Sequence, residues 1–302
     1  MLIKKVTILL LLGLSFISAK SDLVSGLTDI VDKAEEKKAE DKKVLNNAFK
    51  QRMKTQRMAR DAVLIYMDFN TSFYQKDLLK NGDGFNRKLK DLMHDKKDID
   101  KVVAKLPEFK DKIESFKTTW SKFYDNIKVL SKDAKSKKAL DYILNNNLSL
   151  LKDIDYIFSN FLKFYQSTDK LEAYMAHIKT MLFTQVGKPR MYITKIVKER
   201  LLVRENINKK ENQDKLKTTI KGMDRLMKAL KDGDKELELN GTEDRDILEK
   251  LAISQKIWEE VKPIVNKKKL NKEDLSSLIS KNEEFIKAHT EVVKLTRASN
   301  DN

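Results

Sequence analysis

A chain of 302 residues that is 40% apolar and 36% charged, with only 8 Gly and 3 Pro, has too few breakers for an all-β or α/β fold. The absence of cysteine excludes disulfides, thiolate catalysis and thiolate metal sites in one step, so stability rests on helix packing. The net charge of +16 comes from lysines dispersed among acids along every helix, the pattern of a solvated face, and does not point to nucleic acid as a partner.

The chain opens on an export signal: Lys4 and Lys5 are basic, Val6 to Ile17 is apolar, and Ala19 offers a small residue before polar sequence. The apolar run is too short to span a bilayer comfortably. Cleavage after about Ala19 is therefore expected, leaving a periplasmic protein of charge +14. A lead-in segment, residues 20–30, follows.

Residues 31–168 are predicted to hold four helices, at about Val31 to Lys80, Gly84 to His94, Pro107 to Ser131 and Lys137 to Tyr165. Asn81-Gly-Asp-Gly84 reads as the break between the first two. In the fourth, Leu140, Leu144, Leu151, Ile154, Phe158, Phe161 and Tyr165 keep the three-four spacing of a bundle core. Residues 169–302 are predicted to hold four more, at about Asp169 to Asn206, Asn212 to Lys231, Glu243 to Lys267 and Lys272 to Arg297. The two sets are copies. Arg52-Met53 and Arg190-Met191 are 138 residues apart, as are Trp120 and Trp258, and Leu64, Leu78 and Leu92 match Leu202, Leu216 and Leu230 at the same offset. Beyond Trp258 the offset becomes 135, pairing Leu140, Asn147 and Leu151 with Leu275, Asn282 and Ile286. A period this long signals two modules. With short connections, the predicted fold is all-α: two tandem antiparallel four-helix-bundle modules.

The first helix of each copy interrupts its apolar stripe with polar groups at one level. Copy one reads Leu45, Phe49, Arg52, Gln56, Ala59, Val63; copy two reads Phe183, Gly187, Arg190, Thr194, Val197, Leu201. An Arg on such a face needs an anionic partner, and its planar fork suits a carboxylate or a small oxyanion equally. Two sources are open: an acid of a facing helix, or a ligand. Pro189 bends copy two's helix, or restarts it beside Arg190 and leaves free amides that attract anions.

Gln51-Arg-Met-Lys-Thr-Gln-Arg57, followed by Met58-Ala59-Arg60, resembles the Gly-x-Gln-Arg-Met-x-Ser-Gln-Arg motif of the PilJ-like N-terminal domain of type IV pilus methyl-accepting chemotaxis transducers. The same module is the periplasmic sensor of nitrate/nitrite sensor kinases. Copy two keeps the Gly, Arg and Met of the motif in Gly187-Lys-Pro-Arg-Met-Tyr-Ile-Thr-Lys195. The resemblance spans about Val31 to Arg297. It implies a sensory domain whose motif opens the first helix of a four-helix module, with the Arg meeting the anion at a subunit interface. By position, Arg52, Gln56, Arg57, Arg190, Thr194 and Lys195 inherit the ligand-binding role. Phe49, Pro189 and Lys195 depart from the family's Gly, Gln and Arg.

Asn147 and Asn282 sit in matched slots of the fourth-helix stripe and read as register-fixing polar core residues. His94, His177 and His289 stand alone, without metal-ligand spacing. No phosphate loop, nucleophile elbow or acid–base pair is legible, so neither an enzyme nor a cofactor is expected. Two function classes remain. One is a sensory protein that binds a small anion or other solute and signals through a membrane receptor, with a homodimer open. The other is a structural or protein-interaction bundle of the cell envelope that binds no small molecule.

Overall fold

The structure, a computed structural model, describes residues 51–94, 96–165 and 170–301. Its architecture is all-α. Nine α-helices follow one another among the described residues: α1 (residues 51–66), α2 (Thr71–His94), α3 (Lys96–Lys105), α4 (Glu108–Leu130), α5 (Lys137–Tyr165), α6 (Lys170–Arg204), α7 (Lys209–Asp232), α8 (Arg245–Val265) and α9 (Lys272–Asp301). A single β-type bridge among them joins Asp234 to Leu239 around a 3-10 turn at Lys235–Leu237. No described helix is long and apolar enough to cross a membrane. The export signal, the lead-in segment, Leu45 and Phe49 lie outside the described residues, as do the side chains of Phe158, Phe161, Tyr165 and Phe183.

Helix starts follow local chemistry. Asp244 caps α8, its carboxylate accepting from the amides of Asp246 and Ile247. Pro107 precedes α4, whose first turn carries Glu108 and Asp111 at the positive end of the helix dipole. The first connection corrects the expected one: Asn81-Gly-Asp-Gly84 lies inside α2, and the chain turns earlier, at residues 67–70. Asp68 and Asn70 make that turn with φ of 59° and 50°, the left-handed region that short polar side chains tolerate. The glycines serve packing instead. A Cβ at Gly82 would lie 3.2 Å from Ile127 Cγ2 and from Tyr124 Cε2 of α4. Another correction is α3, which fills a stretch where no element was predicted and buries Val102.

Two turns of the backbone recur at the offset of the sequence repeat. Asn206 and Asn208, with φ of 57° and 41°, repeat Asp68 and Asn70 138 residues on. The Phe69 amide donates to the Leu64 carbonyl at 3.0 Å, and the Ile207 amide to that of Leu202 at 3.0 Å. Trp120 Nε1 donates to Asn86 at 3.0 Å, and Trp258 Nε1 to Asp224 at 2.7 Å. Both tryptophans are core residues, Trp120 stacked on Phe85. The halves differ at α3, whose counterpart is the 3-10 turn and its bridge.

In the second half, Val186 of α6, Leu226 and Leu230 of α7, Ile247 and Leu251 of α8, and Val292 and Val293 of α9 close one core. Burial of side chains of this size stabilises by about 1.5–3 kcal/mol each. The buried line of α5 runs Leu140, Ile143, Asn147, Leu150, Ile154, Ile157. Leu144 and Leu151 of the predicted stripe fall on its half-buried flank, because a wide apolar arc fits three-four spacing in two neighbouring registers.

The described residues of both halves belong to one compact unit and meet along α1 and α6. Lys198 of α6 donates to Gln56 of α1 and Asn147 of α5, while Glu283 of α9 meets Arg57 and Arg60 of α1. Lys188, earlier on α6, feels the charges of Arg52 and Asp155. With Lys188 in electrostatic reach of Arg52 and Lys198 bonded to Gln56, α1 and α6 run in the same direction.

Candidate functional site

The two Arg-Met motifs face matched positions on the last helix of their own halves. In the first half, Asp155 of α5 accepts from Arg52 Nε. Burial raises the Asp155 pKa, with Arg52 opposing. At the offset of 135 the counterpart of Asp155 is Thr290 of α9, which carries no charge. Arg190 Nη1 reaches the Thr290 hydroxyl at 3.3 Å, and Arg190 Nε is buried without a hydrogen-bond partner. No carboxylate pairs with Arg190 among the described residues. Burial pushes its pKa down to about 10, and the charge of Arg297 adds to the fall.

The side chains bonded to or packed beside Arg190 are neutral, and the charge acting on it is that of Arg297, of like sign. The hydroxyl of Thr194 donates back to the Arg190 carbonyl at 3.0 Å, and that of Thr290 to the Ile286 carbonyl at 2.6 Å. His289 is fully buried, stacks on Phe285, and sits with Nε2 2.9 Å from the Val186 carbonyl. Burial pushes its pKa down to about 3, with Arg190 acting in the same direction, so it is a neutral imidazole at pH 7. With Nε2–H donating to Val186, Nδ1 has no partner. α6 runs unbroken through Pro189, which overturns the restart reading: no helix N-terminus lies beside Arg190.

Of the other predicted residues, Gln56 and Arg57 belong to the seam between the halves. Gln56 is fully buried, its Oε1 accepting from Lys198 at 2.9 Å and its Nε2 lying 3.5 Å from Asn147 Oδ1. Arg57 donates to Asp77 at 3.0 Å and lies 3.5 Å from Glu283. Lys195 is 3.6 Å from Glu199. The structure thus ties the Thr194 hydroxyl to the Arg190 backbone within α6, gives Arg52 an internal carboxylate, and places Gln56, Arg57 and Lys195 elsewhere. Asn147 and Asn282 are both buried, as register-fixing residues should be.

Four buried charges escaped the sequence reading. Arg60 and Asp61 in α1 are fully buried; Arg60 donates to Asp61 at 2.7 Å and to Glu283 at 2.6 Å. Lys198 and Glu199 repeat them 138 residues on. Burial pushes Asp61 up to about 7 and Lys198 down to about 8. The recurrence of a cation–carboxylate pair at the matching offset was the available signal.

Among the described residues no three metal-ligating side chains converge. A cavity bounded by Gln51, Phe85, Phe116 and Ile154 has room only for a guest of about water size. Chemically, the second-half site can do one thing well: supply a guanidinium with a spare donor to a small anion. No family model, curated protein or solved structure matches the chain.

Proposed function

We propose that the chain is an exported, non-enzymatic sensory protein of the periplasm, built from two PilJ-like four-helix modules, whose second half binds a small anion at Arg190 and signals through a membrane partner. A role beside type IV pili or chemotaxis receptors follows from the resemblance of the Arg-Met motif. The observation that carries the anion reading is the exchange of Asp155 for Thr290 at matched positions. A half-buried guanidinium without a counter-charge is costly, and a carboxylate or oxyanion ligand supplies what Thr290 does not. The first half already contains its own carboxylate and needs no ligand.

The interaction-bundle reading draws its support from that closed first half. The two are separated by Thr290→Asp, which places a carboxylate beside Arg190 as Asp155 stands beside Arg52. In a thermal-shift screen of nitrate, acetate and similar anions at constant ionic strength, the wild type should gain RT ln(1 + [L]/Kd), about 2.7 kcal/mol at a hundredfold excess over Kd. Thr290→Asp and Arg190→Met should lose that gain. A screen in which every anion acts alike on the wild type and both variants leaves the interaction bundle as the function.

A further inference from the structure

The duplication provides an internal control for one end of the molecule. The α1–α2 and α6–α7 turns have the same backbone, with left-handed residues at matched positions and matched amide bonds. Their side chains differ in kind. Tyr66, Met67 and Phe73 in the first half stand where the second has Arg204, Glu205 and Glu211. Polar residues satisfy this fold in the second half, so the fold does not require apolar ones in the first.

Nor are these apolar residues hidden. Phe73 is 57% exposed and Val129 44%, two of the three large apolar side chains exposed among the described residues. Tyr66, Met67 and Phe69 are half-buried beside them. Gln75 Nε2 donates to the Leu130 carbonyl at 3.2 Å, and Lys135 Nζ to the Tyr66 carbonyl at 3.2 Å, so the turn and the α4–α5 connection share one end. That connection carries exposed Lys132 and Lys135 against Asp133, and the first turn of α5 adds exposed Lys137 and Lys138, Lys137 lying 2.7 Å from Asp141. Because α1 and α6 run in the same direction, the second half's turn lies at the same end and adds exposed Lys209 and Lys210.

We infer that this end, with Tyr66, Met67, Phe69, Phe73 and Val129 among exposed lysines, docks onto an anionic phospholipid surface. Aromatic and aliphatic side chains bury their bodies at the headgroup boundary while lysines reach the phosphates, and each basic residue near such a surface adds attraction that salt screens. The inference is independent of the anion site at Arg190.

Sedimentation of the purified full chain with vesicles tests it, using phosphatidylcholine alone and phosphatidylcholine mixed with phosphatidylglycerol. The protein should follow the mixed vesicles more strongly, and added salt should weaken the association. The double variant Phe73→Ser/Val129→Ser should partition about tenfold less, in line with two lost apolar side chains. Ile253→Ser, at an equally exposed apolar residue of the other half, should partition like the wild type, as should Arg190→Met. The apolar residues near the N-terminus contribute equally to every variant, so the difference between variants is the readout. Equal partitioning of the wild type and the double variant, or a wild type indifferent to phosphatidylglycerol, overturns the inference and points to a protein surface as the partner.

Discussion

Arg52 and Arg190 occupy one position of two matched helices, yet one faces a carboxylate and the other a hydroxyl. The consequences differ in sign. Asp155 is 44% exposed, so breaking its pair by Arg52→Met should cost no more than about 1 kcal/mol in a urea melt. Arg190→Met should cost nothing in anion-free buffer, since it removes a charge that nothing compensates. The exchange is also reversible by design: Asp155→Thr should give the first half the second half's chemistry, and titration calorimetry should then count a second equivalent of anion. An unchanged stoichiometry would show that a vacant guanidinium is not enough to make the site. Both arginines were legible from their place on an apolar face. Their partners were not, because Asp155 is one of many acids spread along the helices and only contact distinguishes it.

At the scale of the element, the glycines of α2 show how one residue type carries two messages. Asn81-Gly-Asp-Gly84 has the composition of a turn, but two glycines inside a helix also let a neighbour approach closely. The predicted effects of adding a Cβ diverge. Gly84 faces the Nζ end of Lys54, 2.7 Å from the added atom, and a flexible end can swing aside; Gly84→Ala should therefore gain about 0.5–1 kcal/mol of helix propensity. Gly82 faces buried Ile127 and the ring of Tyr124, neither of which can withdraw, so Gly82→Ala should destabilise. Paired denaturant melts decide between these signs. The true turn was harder to read, because Asp68 and Asn70 make it without glycine or proline.

At the scale of the whole molecule, the seam between the halves is held by ionisable groups that burial has moved toward neutrality. Lys198 loses its proton at about 8 when folded, against an ordinary 10.5. Its contribution to stability is thus complete above 10.5 and lost as pH falls through about 8. Asp61 is the mirror image: its contribution is complete below 3.8 and lost as pH rises through about 7. The difference in unfolding free energy between the wild type and Lys198→Met should therefore change between pH 8 and 10.5, with the variant relatively more stable at pH 7. Asp61→Asn should shift the slope in the acid window instead. A flat difference in either window would mean that the group is hydrated in the folded protein.

Sequence alone determined that this chain is helical, where most of its helices lie, and that residue types recur between its two halves at a constant offset. These are local or periodic properties, carried by few breakers, three-four spacing and a constant offset. Tertiary structure decided which charges are buried and which pairs they make. Lys198 and Arg60 look like any of the 62 basic residues until α5, α6 and α9 close over them. It also decided that Arg52 is answered within the fold while Arg190 is not, since that depends on which residue of a distant helix stands opposite, a relation the chain acquires only when its halves pack together.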